Sequence, residues 1–218
     1  MNKSETLSTL REVGIIPVVR ATSPEEAMAV ADAIRAGGIP ILEITMTVPN
    51  AVDVIRAVCV RYGDEVVVGA GTVLDPETAR ACILAGARFV VAPSLNSATI
   101  EMCRRYSVVV VPGALTPTEV VTAWQAGADA VKVFPCSAVG GASYLKALKG
   151  PLPQIDLIPT GGVSLTTAAD FIRAGAFALG VGGDLVDLAA IRAGNAGKIT
   201  DAARDYVEIV RNTRGECA

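Results

Sequence analysis

Lys132 places an ammonium group in the middle of the short apolar run Ala130–Phe134. A run of this length, rich in valine, predicts a buried β-strand. A lysine in an apolar site loses hydration, which favours its neutral amine, and a neutral amine can attack a ketone to form an imine. Lys132 therefore indicates covalent chemistry on a carbonyl compound.

Glu43 is a second charge predicted to be buried, in the strand-like run Ile41–Thr45. Side chains alternate between the two faces of a strand, so Lys132 lies on the opposite face from its flanking valines, and Glu43 lies opposite its apolar neighbours. We expect both charges to point into the same interior and to meet there. A buried ion pair stabilises a core poorly, because its desolvation can cost as much as the attraction returns. We therefore predict a functional pair, with a purely structural one as the alternative.

Strand-like and helix-like segments alternate along the whole chain, which gives eight strand–helix units without a linker. The predicted strands are Ile15–Arg20, Ile41–Thr45, Val66–Gly69, Phe89–Ala92, Val108–Val111, Ala130–Phe134, Leu157–Pro159 and Ala178–Val181. Helices are predicted to begin near Pro24, Asn50, Pro76, Asn96, Pro117, Gly141, Ser164 and Leu185. This pattern favours a single-domain (β/α)₈ barrel over 1–218, a TIM barrel, with a lead-in over about 1–13 and a last helix over about 199–212. An open doubly wound sheet is the alternative.

The composition excludes several classes of function. The chain has no histidine, which removes histidine acid/base chemistry and histidine metal ligands. Its five cysteines are widely spaced and odd in number, which predicts reduced thiols rather than a zinc site or a disulfide framework. A net charge of −3 without a basic run favours neither nucleic acid nor a membrane surface as partner. The start MNKSETLSTL lacks the apolar core of a signal peptide, so we expect a cytoplasmic protein that acts on a small molecule.

Small and polar residues follow the predicted strands, at the end where barrel enzymes build their sites. Arg20, Gly69–Thr72 and Pro93 follow early strands. Thr160–Gly162 and Gly180–Gly183 follow the last two, where many barrels hold a phosphate on exposed N–H groups. We therefore predict an anion site at these glycine loops.

At this point the chain resembles a known family. The segments EITMTVP (43–49), GAGTV (69–73), VKVFPCSAVGG (131–141), LKALKGPLP (145–153) and PTGGV (159–163) are similar to those of the 2-keto-3-deoxy-6-phosphogluconate (KDPG) and 4-hydroxy-2-oxoglutarate (KHG) aldolases. The resemblance implies a homotrimeric (β/α)₈ barrel that performs class I aldol cleavage without metal or cofactor. It further implies that Lys132 forms an imine with the pyruvate part of a keto acid and that Glu43 is the general acid/base. The substrate-binding residues it implies are Thr72, Phe134 and Pro93 at the pyruvate pocket, and Thr160, Gly161, Gly162 and Gly182 at the phosphorylated end.

Two positions depart from the family pattern. Several members carry an arginine that binds the substrate carboxylate where this chain has Thr47, so Arg20 or backbone N–H groups would have to take over that charge. A serine that helps to bind phosphate in relatives is replaced by Gly183, and Asp184 follows it. A carboxylate beside a phosphate repels it, unless Asp184 points away.

KDPG is the substrate we predict. The alternatives with the same mechanism are KHG and 2-keto-3-deoxy-6-phosphogalactonate. A different class of function would be a phosphate-binding barrel isomerase or synthase that uses Lys132 only as a charge. A non-catalytic trimeric barrel is the last alternative.

Overall fold

The structure is a computed structural model and describes residues 1–216; Cys217 lies outside that range. The strands are β1 (Ile15–Val19), β2 (Ile41–Thr45), β3 (Val67–Gly71), β4 (Phe89–Val91), β5 (Val109–Val111), β6 (Gly113–Ala114), β7 (Val131–Val133), β8 (Leu157–Pro159) and β9 (Leu179–Val181). The helices are α1 (Lys3–Val13), α2 (Pro24–Ala36), α3 (Ala51–Tyr62), α4 (Pro76–Leu84), α5 (Ser97–Arg105), α6 (Pro117–Gln125), α7 (Ala142–Lys149), α8 (Ala168–Arg173), α9 (Leu188–Arg192) and α10 (Gly197–Glu216).

The strands form a closed parallel barrel. One sheet runs in the order β5-β4-β3-β2-β1-β9 and a second in the order β6-β7-β8. A bridge between Thr160 and Gly180 joins β8 to β9, while β5 and β6 are two halves of one barrel strand. The predicted (β/α)₈ barrel is confirmed, and the open doubly wound sheet is excluded.

Most boundaries agree with the sequence prediction because local capping is strong. Ser23, Asp75 and Thr116 each accept a hydrogen bond from a backbone N–H in the first turn of α2, α4 and α6, and each helix starts with proline. A side-chain acceptor at this position binds an N–H group that has no partner within the helix. Proline in the first turn has no N–H group, so it leaves no donor unpaired. These three helices therefore begin where the sequence predicts.

Other boundaries differ for identifiable reasons. The fifth barrel strand is interrupted at Pro112, which has no N–H group to donate to a neighbouring strand. Residues expected as a lead-in form α1, since Asn2 and Glu5 make a capping box at the start of this segment. The helix expected near Ser164 starts at Ala168, after a turn in which the Ser164 N–H donates to the Thr167 hydroxyl. The helix expected near Leu185 likewise starts later, after Asp187 caps its first turn.

The last helix is longer than predicted and packs on the barrel wall. It covers Gly197–Glu216 and contacts α8 and α2. Tyr206 of α10 is completely buried, and the Thr200 hydroxyl donates to the Ala33 carbonyl oxygen of α2. Within residues 1–216, no helix has both the length and the apolar character needed to cross a membrane.

Candidate active site

Glu43 lies inside the barrel on β2. Its side chain is 2% exposed, and Oε1 has no hydrogen-bond partner within residues 1–216. Burial raises the pKa of Glu43 from its ordinary value of 4.5, and the charges of Lys132 and Arg20 oppose that rise. A buried acceptor without a hydrogen-bond partner lowers the stability of the fold. The presence of Glu43 at this position therefore indicates a role in function rather than in folding.

Lys132 reaches the same interior from the far side of the barrel. It lies on β7, between Gly113 of β6 and Ile158 of β8, and is 3% exposed. Strands β2 and β7 are not neighbours, yet the Lys132 charge acts on Glu43, so both side chains point inward as alternation predicts. The two headgroups form no ion pair within the described part of the chain. They face a common interior without neutralising each other by direct contact.

Phe134 connects Lys132 with the mouth of the barrel. The Nζ atom of Lys132 lies 5.1 Å from the centroid of the Phe134 ring, and the same ring lines a cavity at the carboxyl ends of the strands. The cavity has a volume of about 280 Å³ and an open mouth. Its lining comprises Val18, Arg20, Phe134, Thr160, Gly161, Gly162, Val163, Gly180, Gly182, Gly183 and Asp184. The structure thus brings most of the predicted binding residues into one cavity next to Lys132.

The glycine loops present hydrogen-bond donors to this cavity. Among residues 1–216, the backbone N–H groups of Gly162, Gly182 and Gly183 donate to no protein acceptor. Arg20 lines the same cavity and forms no ion pair in this part of the chain. Unpaired N–H groups beside an unpaired guanidinium are the environment that a phosphate or carboxylate requires.

Asp184 also lines the cavity, and one of its carboxylate oxygens is already engaged. Oδ1 accepts a hydrogen bond from the Leu165 N–H at 3.1 Å and another from the Tyr206 hydroxyl at 2.5 Å. Burial of the phenol and its hydrogen bond to the Asp184 carboxylate raise the pKa of Tyr206, so the phenol keeps its proton and acts as the donor. These two hydrogen bonds hold the carboxylate in one orientation at the edge of the cavity.

Thr47, Thr72 and Pro93 lie on the opposite side of the rim, after β2, β3 and β4, and do not line this cavity. The Thr45 hydroxyl donates to the Val19 carbonyl oxygen, so the Thr47 hydroxyl, 2.6 Å away, donates its own proton to Thr45. Thr47 is therefore poorly placed to donate to a substrate carboxylate. Thr72 makes no side-chain hydrogen bond within residues 1–216, which leaves its hydroxyl free to donate.

Comparison with known proteins identifies the family. A family model described as KDPG and KHG aldolase matches residues 7–202. The chain belongs to this family. It is therefore a class I aldolase, and so a lyase, as the sequence resemblance implied.

Individual relatives show how far the similarity extends. The aldolase is 38% identical, over 78% of its length and 77% of the relative, to the 2-dehydro-3-deoxy-phosphogluconate aldolase of Pseudomonas aeruginosa. It is 40% identical, over 73% of its length and 78% of the relative, to the 2-dehydro-3-deoxy-6-phosphogalactonate aldolase of Escherichia coli. A crystal structure of KDPG aldolase from Legionella pneumophila, with pyruvate captured as a covalent carbinolamine, superposes with a TM-score of 0.85 at 28% identity, over 91% of this chain and 96% of that one.

Two features of the aldolase site carried no clear signal in its sequence. A Cβ atom added at Gly71 would lie 1.8 Å from Oε1 of Glu43, so the carboxylate rests directly on the glycine backbone. Thr72, the next residue, has a φ of 59°, a left-handed conformation that is uncommon for a β-branched residue. A Gly-Thr pair predicts that the glycine adopts the left-handed conformation. Here Gly71 leaves space for the Glu43 carboxylate, and Thr72 adopts the strained left-handed conformation.

We expect Gly71→Ala to impair catalysis while the fold survives. The added methyl group must displace the Glu43 carboxylate, and a shift of about 1 Å in a catalytic group can cost on the order of 10²-fold in rate. The measurement is kcat for pyruvate release, with circular dichroism to establish folding. Gly150→Ala is the matched control, because its new Cβ would have no neighbour closer than 3.6 Å. A Gly71→Ala enzyme with normal kcat would show that the position of Glu43 is unimportant.

Proposed function

We propose that the aldolase reversibly cleaves 2-keto-3-deoxy-6-phosphogluconate to pyruvate and glyceraldehyde 3-phosphate. The observation that carries this proposal is the arrangement of Lys132 and Glu43 inside one barrel, next to a cavity lined by donor groups for an anion. The buried pair suits the keto end of the substrate. The glycine loops and Arg20 suit the phosphate at the other end.

Lys132 acts as the nucleophile in this mechanism. Its amine adds to the C2 carbonyl carbon of the substrate to form a carbinolamine, and loss of water from that adduct gives an imine. The protonated imine nitrogen accepts the electron pair of the C3–C4 bond when that bond breaks, so an enamine forms in place of an unstabilised carbanion. The aldehyde carbon is C4, and its hydroxyl proton must leave as the bond breaks.

Glu43 moves the protons. Its carboxylate accepts the C4 hydroxyl proton during cleavage, and the enamine carbon C3 then receives a proton to form the pyruvate imine, which water hydrolyses. Because burial raises the pKa of Glu43 toward the working pH, one group can both take up and return a proton. Its Oε1 atom has no protein partner and is available for this transfer.

The substrate is oriented by its charged ends. We assign Arg20 to the phosphate, because the guanidinium shares a cavity with the amides of Gly162, Gly182 and Gly183. Thr160 and Gly161, in the loop after β8, line the same cavity as Phe134. The free Thr72 hydroxyl is the donor we assign to the pyruvate carboxylate, with Pro93 on the neighbouring loop, whose backbone packs on Gly113.

A coupled assay tests the proposed substrate. Lactate dehydrogenase and NADH report pyruvate release from KDPG, from 2-keto-3-deoxy-6-phosphogalactonate and from KHG. We expect the highest kcat/KM with KDPG. Equal or higher values with the galactonate epimer, the substrate named in the Escherichia coli relative, would transfer the assignment to that compound. A preference for KHG would remove the role of the phosphate.

We expect Arg20→Gln to raise KM for KDPG by roughly 10–100-fold, which corresponds to the loss of the charge-assisted hydrogen bonds between one guanidinium and a phosphate. The KM for pyruvate in the reverse reaction should stay close to the wild-type value, since pyruvate does not reach the glycine loops. The matched control is Arg204→Gln on α10, an exposed arginine paired with Asp201. A rise in KM for pyruvate equal to that for KDPG would place Arg20 at the carboxylate.

We also propose that the aldolase is a homotrimer that works in the cytoplasm without metal or cofactor. Among residues 1–216, no group of three or more His, Cys, Asp or Glu side chains is arranged to hold a metal ion. The cysteines Cys59, Cys82, Cys103 and Cys136 are unpaired thiols, as suits a reducing compartment.

The homotrimer is supported by exposed apolar side chains. Trp124 and Leu84 are 44% and 59% exposed, and we propose that a neighbouring chain covers them. Light scattering should give three times the chain mass of 22.3 kDa.

A further inference from the structure

Asp184, Leu165 and Tyr206 form a hydrogen-bonded bridge between three separate parts of the chain. Asp184 lies in the loop after β9, Leu165 lies in the loop after β8, and Tyr206 lies in the middle of α10. Oδ1 of Asp184 accepts from both of the others. The two loops joined in this way are those that carry the unpaired amides of the cavity.

A backbone bridge at the base of the two loops and the Asp184 hydrogen bond farther out both join them. The bridge joins Thr160, directly after β8, to Gly180 of β9, so it lies before the free amides in both loops. Among the described residues, no heavy atom apart from those of adjacent residues lies within 4 Å of a Cβ built on Gly182 or Gly183, and the Gly182 carbonyl oxygen accepts hydrogen bonds only from Leu185 and Val186 of its own loop. The carboxylate of Asp184 adds a hydrogen bond between the two loops on the outer side of the amides, where it accepts from the Leu165 N–H.

Tyr206 gives the bridge a rigid anchor. Its side chain projects from α10 into the hydrophobic core, where it is fully buried, and its hydroxyl donates to Asp184. A buried hydroxyl that lacks an acceptor loses its hydration without compensation. The hydrogen bond from Tyr206 to Asp184 therefore favours the carboxylate orientation in which Oδ1 accepts it. In that orientation, Oδ1 is occupied by two protein donors, the Tyr206 hydroxyl and the Leu165 N–H.

We propose that Asp184, held by Tyr206, is a positioning residue that aligns the two glycine loops for the phosphate of the substrate. The inference rests on the proposed function, because it requires that the loops bind the phosphorylated end. It also explains how a carboxylate can lie at the edge of an anion site. Through these hydrogen bonds, the Asp184 carboxylate positions the backbone amides that bind the phosphate, although its own charge would repel a phosphate.

Kinetics with KDPG and its unphosphorylated counterpart, 2-keto-3-deoxygluconate, test this inference in two variants that break the bridge and in a third, Asp184→Asn, that keeps it. Tyr206→Phe keeps the buried ring and removes the donor, and Asp184→Ala removes the bridge. We expect KM for KDPG to rise roughly three- to tenfold in Tyr206→Phe and at least that much in Asp184→Ala, as for the loss of one or two hydrogen bonds. The kcat for KDPG and both constants for the unphosphorylated substrate should stay near wild type.

Asp184→Asn distinguishes the bridge from the charge. The asparagine oxygen can accept from Leu165 and Tyr206 as before, so KM for KDPG should stay at or below the wild-type value. Thr200→Val on α10 is the control, since it removes a hydroxyl bond to Ala33 far from the cavity. Inorganic phosphate as a competitive inhibitor gives a second readout, and its inhibition constant should rise with KM.

The outcomes separate the inference from the function on which it rests. A wild-type enzyme that does not distinguish the two substrates would overturn the phosphate site and this inference together. A wild-type preference that Tyr206→Phe and Asp184→Ala both retain would overturn the inference alone. Equal losses with both substrates, or a defect in Asp184→Asn as large as in Asp184→Ala, would also overturn it.

Discussion

Replacement of Lys132 by methionine should reduce pyruvate release by about 10⁴-fold or more, the scale seen when an enzyme loses its nucleophile. Methionine has a similar length, is apolar and suits the buried site, where Lys132 is 3% exposed. It has no nitrogen, so neither a carbinolamine nor an imine can form. The cleaved electron pair then has no acceptor, and the reaction loses its low-energy route.

The Lys132→Met variant should remain folded. Methionine fills the buried space with apolar atoms of similar length and has no polar headgroup that loses hydration there. The measurement is kcat/KM for KDPG by the coupled assay, with thermal unfolding as the test of folding. Lys146→Met on the exposed face of α7 is the matched control. A Lys132→Met enzyme with activity within tenfold of that control would remove the lysine from the mechanism.

Glu43→Gln should have the second largest effect, a loss of roughly 10²–10⁴-fold in kcat, the usual contribution of general acid/base catalysis. Glutamine has the same shape and fits over Gly71, but its amide cannot accept and return the proton of the C4 hydroxyl. Imine formation also needs proton transfers, so borohydride trapping of the pyruvate adduct should be slower as well. A Glu43→Gln enzyme with unchanged kcat would assign the proton transfer to another group.

The same substitution should make the protein more stable at neutral pH. Because burial raises the pKa of Glu43 in the folded state, ionisation is harder in the folded chain than in the unfolded chain. The resulting penalty is absent at low pH, where the carboxyl is protonated in both states, and develops as the pH rises above the ordinary value of 4.5. The free energy of unfolding of Glu43→Gln should therefore exceed that of the wild type at pH 7, and the two values should converge below about pH 4. A less stable variant at pH 7 would contradict this account of the site.

The barrel and its buried pair could be predicted from the sequence because both depend on local periodicity. Alternation along β2 and β7 is enough to direct Glu43 and Lys132 inward, and the cap residues before α2, α4 and α6 mark the units around them. The glycine loops after β8 and β9 were predicted for the same reason, as they follow the last two strands of the pattern. Their shared cavity with Arg20 follows from closure of the barrel.

The remaining features depend on contacts between distant segments, which periodicity does not encode. Gly71 is required because a carboxylate from a neighbouring strand rests on it, and no local pattern indicates that contact. The orientation of Asp184 depends on Tyr206, which is 22 positions away on a helix predicted only in outline. The sequence left open which protein groups would contact Asp184, and the structure shows that the Tyr206 hydroxyl and the Leu165 N–H donate to its Oδ1.

The most direct test of the central claim is to incubate the wild-type enzyme with pyruvate and borohydride and to map the adduct by peptide mass spectrometry. The account predicts that the reduced pyruvate mass appears on Lys132, that Lys132→Met acquires no such mass, and that trapping inactivates the enzyme. The absence of an adduct, as expected for an isomerase, a synthase or a non-catalytic barrel, would contradict it. So would an adduct on Lys3, Lys146, Lys149 or Lys198 that accompanies the loss of activity.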